Sequence, residues 1–472
     1  MQQVSISEAK KEFCELVNET TNGKSITITK EGKPVAVLAP YNPPPKQKKV
    51  RYSTNFNIPY DFNELSLVGL YQSLIQVKTC GRSYEGTLYV SLENKRFSFI
   101  KLQVKLHISP EDVQYFENYD GIEVLYNNKI LDVLVTNCRG NNLNGECIMT
   151  CLPIVDPFQI IGDDDTILSS VEYVYINVVN FCYSMKKIKS RGWIVEIYPV
   201  DDIGEIERQI KNESVYAVTH CVKVKKENGT SFSGREFIDF IDELNYFLFF
   251  AFGKRHVPIC PVGFDSAGRL IWERWSSPSD TTQHFYGTWF SRCHFEQLAM
   301  LFPLFSEKWN SGWKETLQTV LSWYIQINDI TMGIDTCILL TQASFERLIY
   351  EFNTKLRPEL DNKPAVKVDK QIKEFFHHVG IPEEIPAQLS NLKKYSSFSN
   401  AMVRARGNIV HPQNQFFDHE EIAELYRLVV WGLELSILAI CDYSGTYGNR
   451  LNHRRFENEV EIVPWAKADA LP

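Results

Sequence analysis

The sequence predicts an α+β protein of several domains, with a small β-α-β-β segment at its start, a β-rich, sandwich-like middle and an all-α helical bundle at its end. Three observations carry this. Residues 1–41 run through a short strand pattern, an amphipathic stripe and an alternating hairpin pattern. From Phe56 to about Val224 the apolar residues recur mostly with period two, as in half-buried strands. Beyond Trp313 the period becomes helical. At 472 residues the chain exceeds a single core and divides into units 1–41, 52–230, 231–312 and 313–450, with a linker at 42–51 and a tail at 451–472.

In the first segment, Gln3 to Ile6 reads as a strand and Ser7 as the cap of a helix, with Glu8 suiting the positive end of the helix dipole. Ala9, Phe13, Leu16 and Val17 share one helical face, and Asn22-Gly23 ends the helix. Ser25 to Thr29, a Glu31-Gly32 turn and Pro34 to Leu38 make a hairpin. Asn42-Pro-Pro-Pro45, with Lys46, Lys48, Lys49 and Arg51, reads as a stiff basic linker.

In the middle, the runs Gly86–Val90, Phe97–Leu106, Ile122–Tyr126 and Ile130–Val135 read as strands. Turns are expected at Glu93-Asn94, Asp120-Gly121, Asn127-Asn128 and Gly140 to Asn142. Asp163-Asp164-Asp165 lacks the ligand spacing of a calcium loop and reads as a solvated turn. A helix from Arg235 to Phe252, stopped by Gly253, precedes a hairpin at His256–Ile259 and Arg269–Trp272. The aromatic cluster of Trp275, Trp289, Phe290, Trp309 and Trp313 suits a packed interior; stacking on unpaired bases is the alternative.

The C-terminal third carries stripes at Leu317 to Ile325, Cys337 to Phe352 and Val368 to Val379, then helices over Phe398–Val410 and about Asp418 to Cys441. Four or five helices in roughly 130 residues describe a bundle.

Composition narrows the function. Hydrophobic residues at 44%, charged at 23% and aromatic at 13% describe an ordered globular chain. A net charge of −8 argues against non-specific nucleic-acid coating along the whole length, so any nucleic-acid surface is local. Eleven cysteines include no CxxC pair, which implies neither a zinc site nor a disulfide framework. The N-terminus MQQVSISEAKKEF lacks a signal pattern, and no apolar run reaches about 18 residues, so a soluble, cytoplasmic protein without membrane contact is expected.

The most telling chemistry is Arg404-Ala-Arg406-Gly-Asn408-Ile-Val-His411-Pro412. A guanidinium stays charged and grips phosphate with two hydrogen bonds, while an imidazole near neutrality shuttles a proton. Gly407 and Asn408 weaken the helix end that Pro412 terminates, favouring exposure. The bland alternative is that Arg406 and His411 cap a helix and bind solvent or a carboxylate such as Glu346.

Three resemblances frame these residues. Ser5–Lys10, Phe13–Val17 and Ile28–Pro40, with its Gly32-Lys33-Pro34, resemble the DNA-binding half of the Phd/YefM antitoxins. That resemblance implies a paired segment that contacts operator DNA, with Lys10, Lys11, Lys24, Lys30 and Lys33 as the candidate contacts; solvated lysines look the same. The order of β-rich segments, aromatic connector and helical unit is similar to ApeA-like anti-phage defence proteins, implying a phage-derived trigger. The bundle, the Pro and Arg406-x4-His411 resemble the HEPN nucleases, although Gly407 stands where a polar residue commonly follows the Arg. The HEPN resemblance implies a homodimer with a composite site and no cofactor or metal. There His411 is general base or acid, Arg406 stabilises transition-state charge and Asn408 orients phosphate or imidazole. The expected function is a metal-independent endoribonuclease acting on an RNA substrate through 2′-hydroxyl attack, regulated through its first segment and β-rich domain. Two alternatives stand beside it: a DNA-binding autorepressor, and a sensor or adaptor with an inactive scaffold.

Overall fold

A computed structural model describes residues 2–38 and 56–466 apart from internal stretches, among them 59–66, 117–121, 276–286, 357–366, 412–416 and 453–457. The linker 42–51 and the turns at Asn22-Gly23, Asp120-Gly121 and Asn127-Asn128 lie outside the described residues. The chain forms two compact units, Met1–Lys49 and Val50–Pro472.

The first unit contains β1 (Gln2–Ser5), α1 (Ile6–Lys11), α2 (Phe13–Thr21), β2 (Ile26–Lys30) and β3 (Lys33–Leu38). Its sheet runs β1-β2-β3, with β1 parallel to β2 and β3 antiparallel. The helix cap is Ser5, not Ser7. Ser5 Oγ accepts from Glu8 N and the Glu8 carboxylate accepts from Ser5 N, a reciprocal box that holds Glu8 below the usual carboxylate range. The expected single helix breaks at Glu12, which moves the stripe: Ala9 and Leu16 stay buried, whereas Phe13 is 53% exposed.

The second unit opens with a β-rich region. Its first sheet uses β4 (Leu67–Thr79), β5 (Arg82–Asn94), β6 (Ser98–His107), β7 (Glu123–Tyr126), β8 (Lys129–Ile130), β9 (Val133–Asn141) and β10 (Glu146–Pro153) in the order β8-β7-β4-β5-β6-β10-β9. Glu93-Asn94 and Gly140-Asn141 extend strands instead of turning, and Ile130 to Val135 divides between two strands, because ladder hydrogen bonds outweigh local turn preference there. Cys80-Gly81, both at positive φ, close the β4–β5 hairpin as a two-residue turn.

Further on come β11 (Phe158–Ile161), β12 (Ile167–Leu168), β13 (Ser170–Ile176), β14 (Lys186–Ser190), β15 (Trp193–Pro199), α3 (Ile203–Glu213), β16 (Val218–Lys226), β17 (Phe232–Ser233), α4 (Gly234–Phe252), β18 (Ile259–Phe264) and β19 (Leu270–Trp275). The second large sheet is ordered β11-β19-β18-β13-β16-β15-β14, so the hairpin placed in 231–312 completes it. Residues of both large sheets meet in one core that includes Val77, Leu88, Val104, Val174, Val218 and Val262. Asp163 makes a turn, accepting from Asp165 N and the Thr166 hydroxyl.

Across the second sheet one register row reads Lys187, Glu196, Lys223, Glu172, Val262, Glu273. Lys223 Nζ lies 2.9 Å from the buried Glu172, which also accepts from Asn57 N, and Glu196 is held by Lys187 at 3.0 Å and Lys225 at 3.3 Å. Charge neutralisation along the ladder permits carboxylates on this face. Glu273, set by the register between Val262 and Ile161, accepts from Trp275 Nε1 at 2.7 Å.

The rest is helical: α5 (Glu296–Lys308), a kink at Trp309–Trp313 where Gly312 takes φ 88°, α6 (Lys314–Ile327), α7 (Ile334–Leu356), α8 (Val368–Val379), α9 (Phe398–Val410) and α10 (His419–Ile440), then β20 (Thr446–Tyr447) and β21 (Glu461–Ile462). Leu317, Val320, Leu321, Tyr324, Phe345, Phe376, Phe398 and Leu428 are buried in one core. Trp272, Trp275, Trp289, Phe290, Trp309 and Trp313 are all buried, so the aromatic cluster packs. Trp289 Nε1 donates to Phe250 O and its carbonyl accepts from Gly448 N, joining α4 to the tail. Arg450 and Glu434, 5% and 1% exposed, form a bidentate pair; Tyr324 donates to Glu434, and Arg450 donates to Asn328. Among the described residues no helix is long and apolar enough to cross a membrane.

Two outcomes follow from these buried charges. Arg450→Met, leaving Glu434 without its cation, is expected to lower unfolding free energy by roughly 3–5 kcal/mol in urea titration, and Glu434→Leu in the same chain to recover part of it. Burial lifts the Glu273 carboxyl to about 7. Its stabilising contribution is therefore full below its unfolded value and lost as pH rises through about 7, since the folded state holds the proton that the unfolded state releases. Glu273→Gln is expected to gain stability over the parent between pH 5 and pH 8, by at most about 3 kcal/mol, in urea titrations at both pH values.

Candidate nucleic-acid-cleaving site

The site segment is a helix anchored at its start and open at its end. Ser397 caps α9, its Oγ accepting from Asn400 N, while Phe398 N donates to Glu383 O and Ser399 Oγ to Glu383 Oε2. Phe398, Ala401, Met402 and Ala405 form the buried face. Gly432 lets α10 come close: a Cβ there would stand 2.5 Å from the Phe398 ring, so this glycine is demanded by packing. The helix ends at Val410, and His411 is its C-cap, at φ −125° and ψ 77°, with its N–H donating to Gly407 O at 2.9 Å. Pro412, expected to terminate the helix, lies outside the described residues.

Arg404, Arg406 and His411 are exposed and Asn408 is half-buried. Among the described residues none of these four side chains forms a hydrogen bond or ion pair. Glu346, the weighed alternative partner, instead accepts from Gln342 at 2.8 Å. At about 100° per residue, Arg404, Gly407, Asn408 and His411 occupy one flank spanning roughly 100° around the axis. Arg406 points to the other exposed flank, about 160° from Arg404 around the same axis. The helix thus brings Asn408 and His411 together with Arg404, and sets Arg406 apart from them within one chain. Spacing along the chain favoured Arg406; the angular signal that favours Arg404 lay in the same residues.

Arg404 stands near the start of α10. Burial and the Glu421 carboxylate push the Tyr395 phenol up, and the charge of Arg404 pulls it down. The Glu421 charge itself is met by Tyr395 at 2.6 Å and Lys394 at 2.8 Å, and Glu424 accepts from Asn391 N and Nδ2. Glu421 and Glu424 are thus engaged by Tyr395, Lys394 and Asn391, and no ion pair of either with Arg404 occurs among the described residues.

Gly407, like Gly204 in α3, is a helical glycine in open space. Its φ is not in the left-handed region, and among the described residues nothing lies within 4 Å of where a Cβ would be. Among the described residues neither conformation nor packing calls for glycine there, and glycine inside a helix costs about 1 kcal/mol relative to alanine.

A cleft of about 330 Å³ lies where α8 and α10 end, lined by Lys308, Trp313, Phe352, His378, Asp442 and Trp465. It contains no part of the arginine and histidine segment, which sits at the start of α10 instead. No group of three or more His, Cys, Asp and Glu suited to a metal occurs among the described residues. In the first unit, Lys10, Lys11, Lys24, Lys30 and Lys33 are all exposed; Lys24 pairs with Glu19 at 3.3 Å.

Comparison with known proteins matches three parts of the chain. Residues 1–48 match the antitoxin Phd/YefM of type II toxin–antitoxin systems, 175–286 the YopA central domain and 310–461 the YopA C-terminal domain. The chain therefore carries an antitoxin-like N-terminal domain followed by YopA-type domains. It is 28% identical over 331 residues to the SPbeta prophage-derived uncharacterized protein YopA of Bacillus subtilis (strain 168), covering 66% of this chain and 75% of that protein. No solved structure matches. None of the three matching domains is a HEPN or ApeA-type domain, so the nuclease reading rests on the residues of α9.

Proposed function

We propose that this protein is a metal-independent endoribonuclease of HEPN type, an effector of toxin or anti-phage kind, working as a homodimer and restrained through its antitoxin-like domain. The observation that carries the reading is the end of α9, where two arginines and a histidine stand exposed without a described internal partner. Exposed guanidiniums with no described ion-pair partner are suited to an anionic substrate. In the proposed reaction the neutral imidazole of His411 takes the proton of a ribose 2′-hydroxyl, and O2′ attacks the adjacent phosphorus. The bond from phosphorus to O5′ breaks, and a protonated imidazole returns a proton to the leaving oxygen. The products are a 2′,3′-cyclic phosphate and a 5′-hydroxyl. Arginine charge stabilises the transition state, Arg406 reaching it from the opposite flank through a second copy, and Asn408 orients the imidazole or the phosphate.

Purified protein incubated with RNA in EDTA is expected to cleave, leaving cyclic phosphate ends. His411→Ala is expected to reduce the rate by about 10²–10⁴ and Arg406→Ala by about 10². Cleavage that persists unchanged in both variants, or that EDTA abolishes, defeats the reading.

A second reading, autorepression through DNA, is favoured by the match of residues 1–48 to the antitoxins and by five exposed lysines. In mobility-shift assays on the DNA upstream of its own gene, deletion of residues 1–48 is expected to abolish binding, and retained binding by the truncated chain removes that role.

A further inference from the structure

The cleft where α8 and α10 end brings together aromatic walls, a charged pair and two helix carbonyl ends. Trp313 and Phe352 are buried in its wall, and Trp465 is fixed by its indole N–H, which donates to Tyr443 O at 2.7 Å. That hydrogen is the only polar group an indole carries, so Trp465 offers the cleft its ring. Lys308 Nζ and Asp442 Oδ2 stand 2.8 Å apart in the same lining. Asp442 is the residue out of place. Its N–H donates to Ala439 O and Tyr443 N donates to Leu438 O, the two bonds that close a helix through a left-handed residue, and Asp442 takes that place at φ 54°. Helices α4 and α8 end on glycine in the same conformation, Gly253 and Gly380. Aspartate there accepts a conformational cost that glycine avoids, and its carboxylate is 75% exposed, where an ion pair contributes little to stability.

We infer that this cleft binds the guanine base of a nucleoside. The fit is one of donors and acceptors. A carboxylate bonded to one ammonium keeps lone pairs to spare, and the ammonium keeps two more hydrogens. Among the four RNA bases, guanine alone sets a carbonyl beside two adjacent N–H donors on one edge: Lys308 donates to O6, and Asp442 accepts from N1 and N2. The ring is received by the aromatic wall, since every base has a face that stacks on indole or phenyl. The last residues of both helices, His378 and Val379 of α8 and Ala439 and Ile440 of α10, line the cleft, so it lies at two negative helix poles. Such poles favour N–H donors and oppose phosphate, which selects a nucleoside over a nucleotide. The volume of about 330 Å³ falls within the roughly 300–1,000 Å³ of small-molecule sites. The cleft shares no residue with the α9 segment, and the inference stands apart from the ribonuclease reading.

The test is isothermal titration calorimetry of the full chain with a series of nucleosides. Guanosine is expected to bind at one site per chain. Inosine, without the N2 amino group, is expected to bind about tenfold more weakly, and 1-methylguanosine and adenosine, which lack the N1 hydrogen, about 100-fold more weakly. This comparison alters only the ligand and so reads the site without touching the fold. Asp442→Asn keeps a residue that tolerates the left-handed backbone and is expected to weaken guanosine binding about 10–100-fold, with a thermal midpoint within about 3 °C of the parent. Lys308→Met is expected to weaken it about tenfold.

Absence of guanosine binding at about 1 mM, equal affinity for guanosine, 1-methylguanosine and adenosine, or unchanged binding in a folded Asp442→Asn chain overturns the inference. Guanosine binding that is gained only when residues 467–472 are removed also overturns it, making the cleft a seat for the end of the chain itself.

Discussion

The buried pair of Glu434 and Arg450 is the constraint on which the helical unit depends. Glu434 lies in the interior of α10, where a lone carboxylate would be intolerable, and its charge is met by a residue from the tail after that helix. Tyr324 of α6 and Asn328 at its end complete the set, so the central helix, a neighbouring helix and the tail share one polar knot. Because each member needs the others, the tail cannot leave without exposing or stranding a charge. The order of α10 is what gives α9 its fixed seat against Gly432, and hence gives the arginine and histidine segment a defined direction.

The β-rich part solves a related problem differently. Its second sheet carries carboxylates on the face that also holds Val174 and Val262, and it neutralises them sideways, strand by strand, with lysines at the same register. At Glu273, which the row sets beside Val262, burial pushes the carboxyl up to about 7. The knot and the row share one feature: Glu434, Glu172 and Glu196 each meet a cation supplied by another element.

How much of this could be read from the residues depends on the range of the interaction. The helices of the last third were legible because their apolar stripes repeat locally, and Asp418 and Cys441 indeed bound α10 as its caps. The packing of the tryptophans was legible for the same reason of composition. Ser5 was missed as the cap because Ser7 offers the same side chain two residues later; only the reciprocal bond to Glu8 chooses between them. Arg191-Gly192, which closes the β14–β15 hairpin with both residues at positive φ, carries no strong turn signature, and the partner of Glu434 cannot be found by periodicity at all. In the candidate site, the residue types were evident, but the choice between Arg404 and Arg406 turns on angle around the axis, which a count of intervening residues hides.

One core runs from Leu168 to Val463, crossing the segments that resemble the two YopA domains, with Trp289 hydrogen-bonded to both α4 and the tail. Such a shared interior limits how the gene can be rearranged. Recombination between the two YopA-type segments would divide a hydrophobic core and leave tryptophans facing water, whereas a breakpoint near residue 49 leaves the core of each unit whole. The antitoxin-like unit is thus the part that can be exchanged without cutting a hydrophobic core.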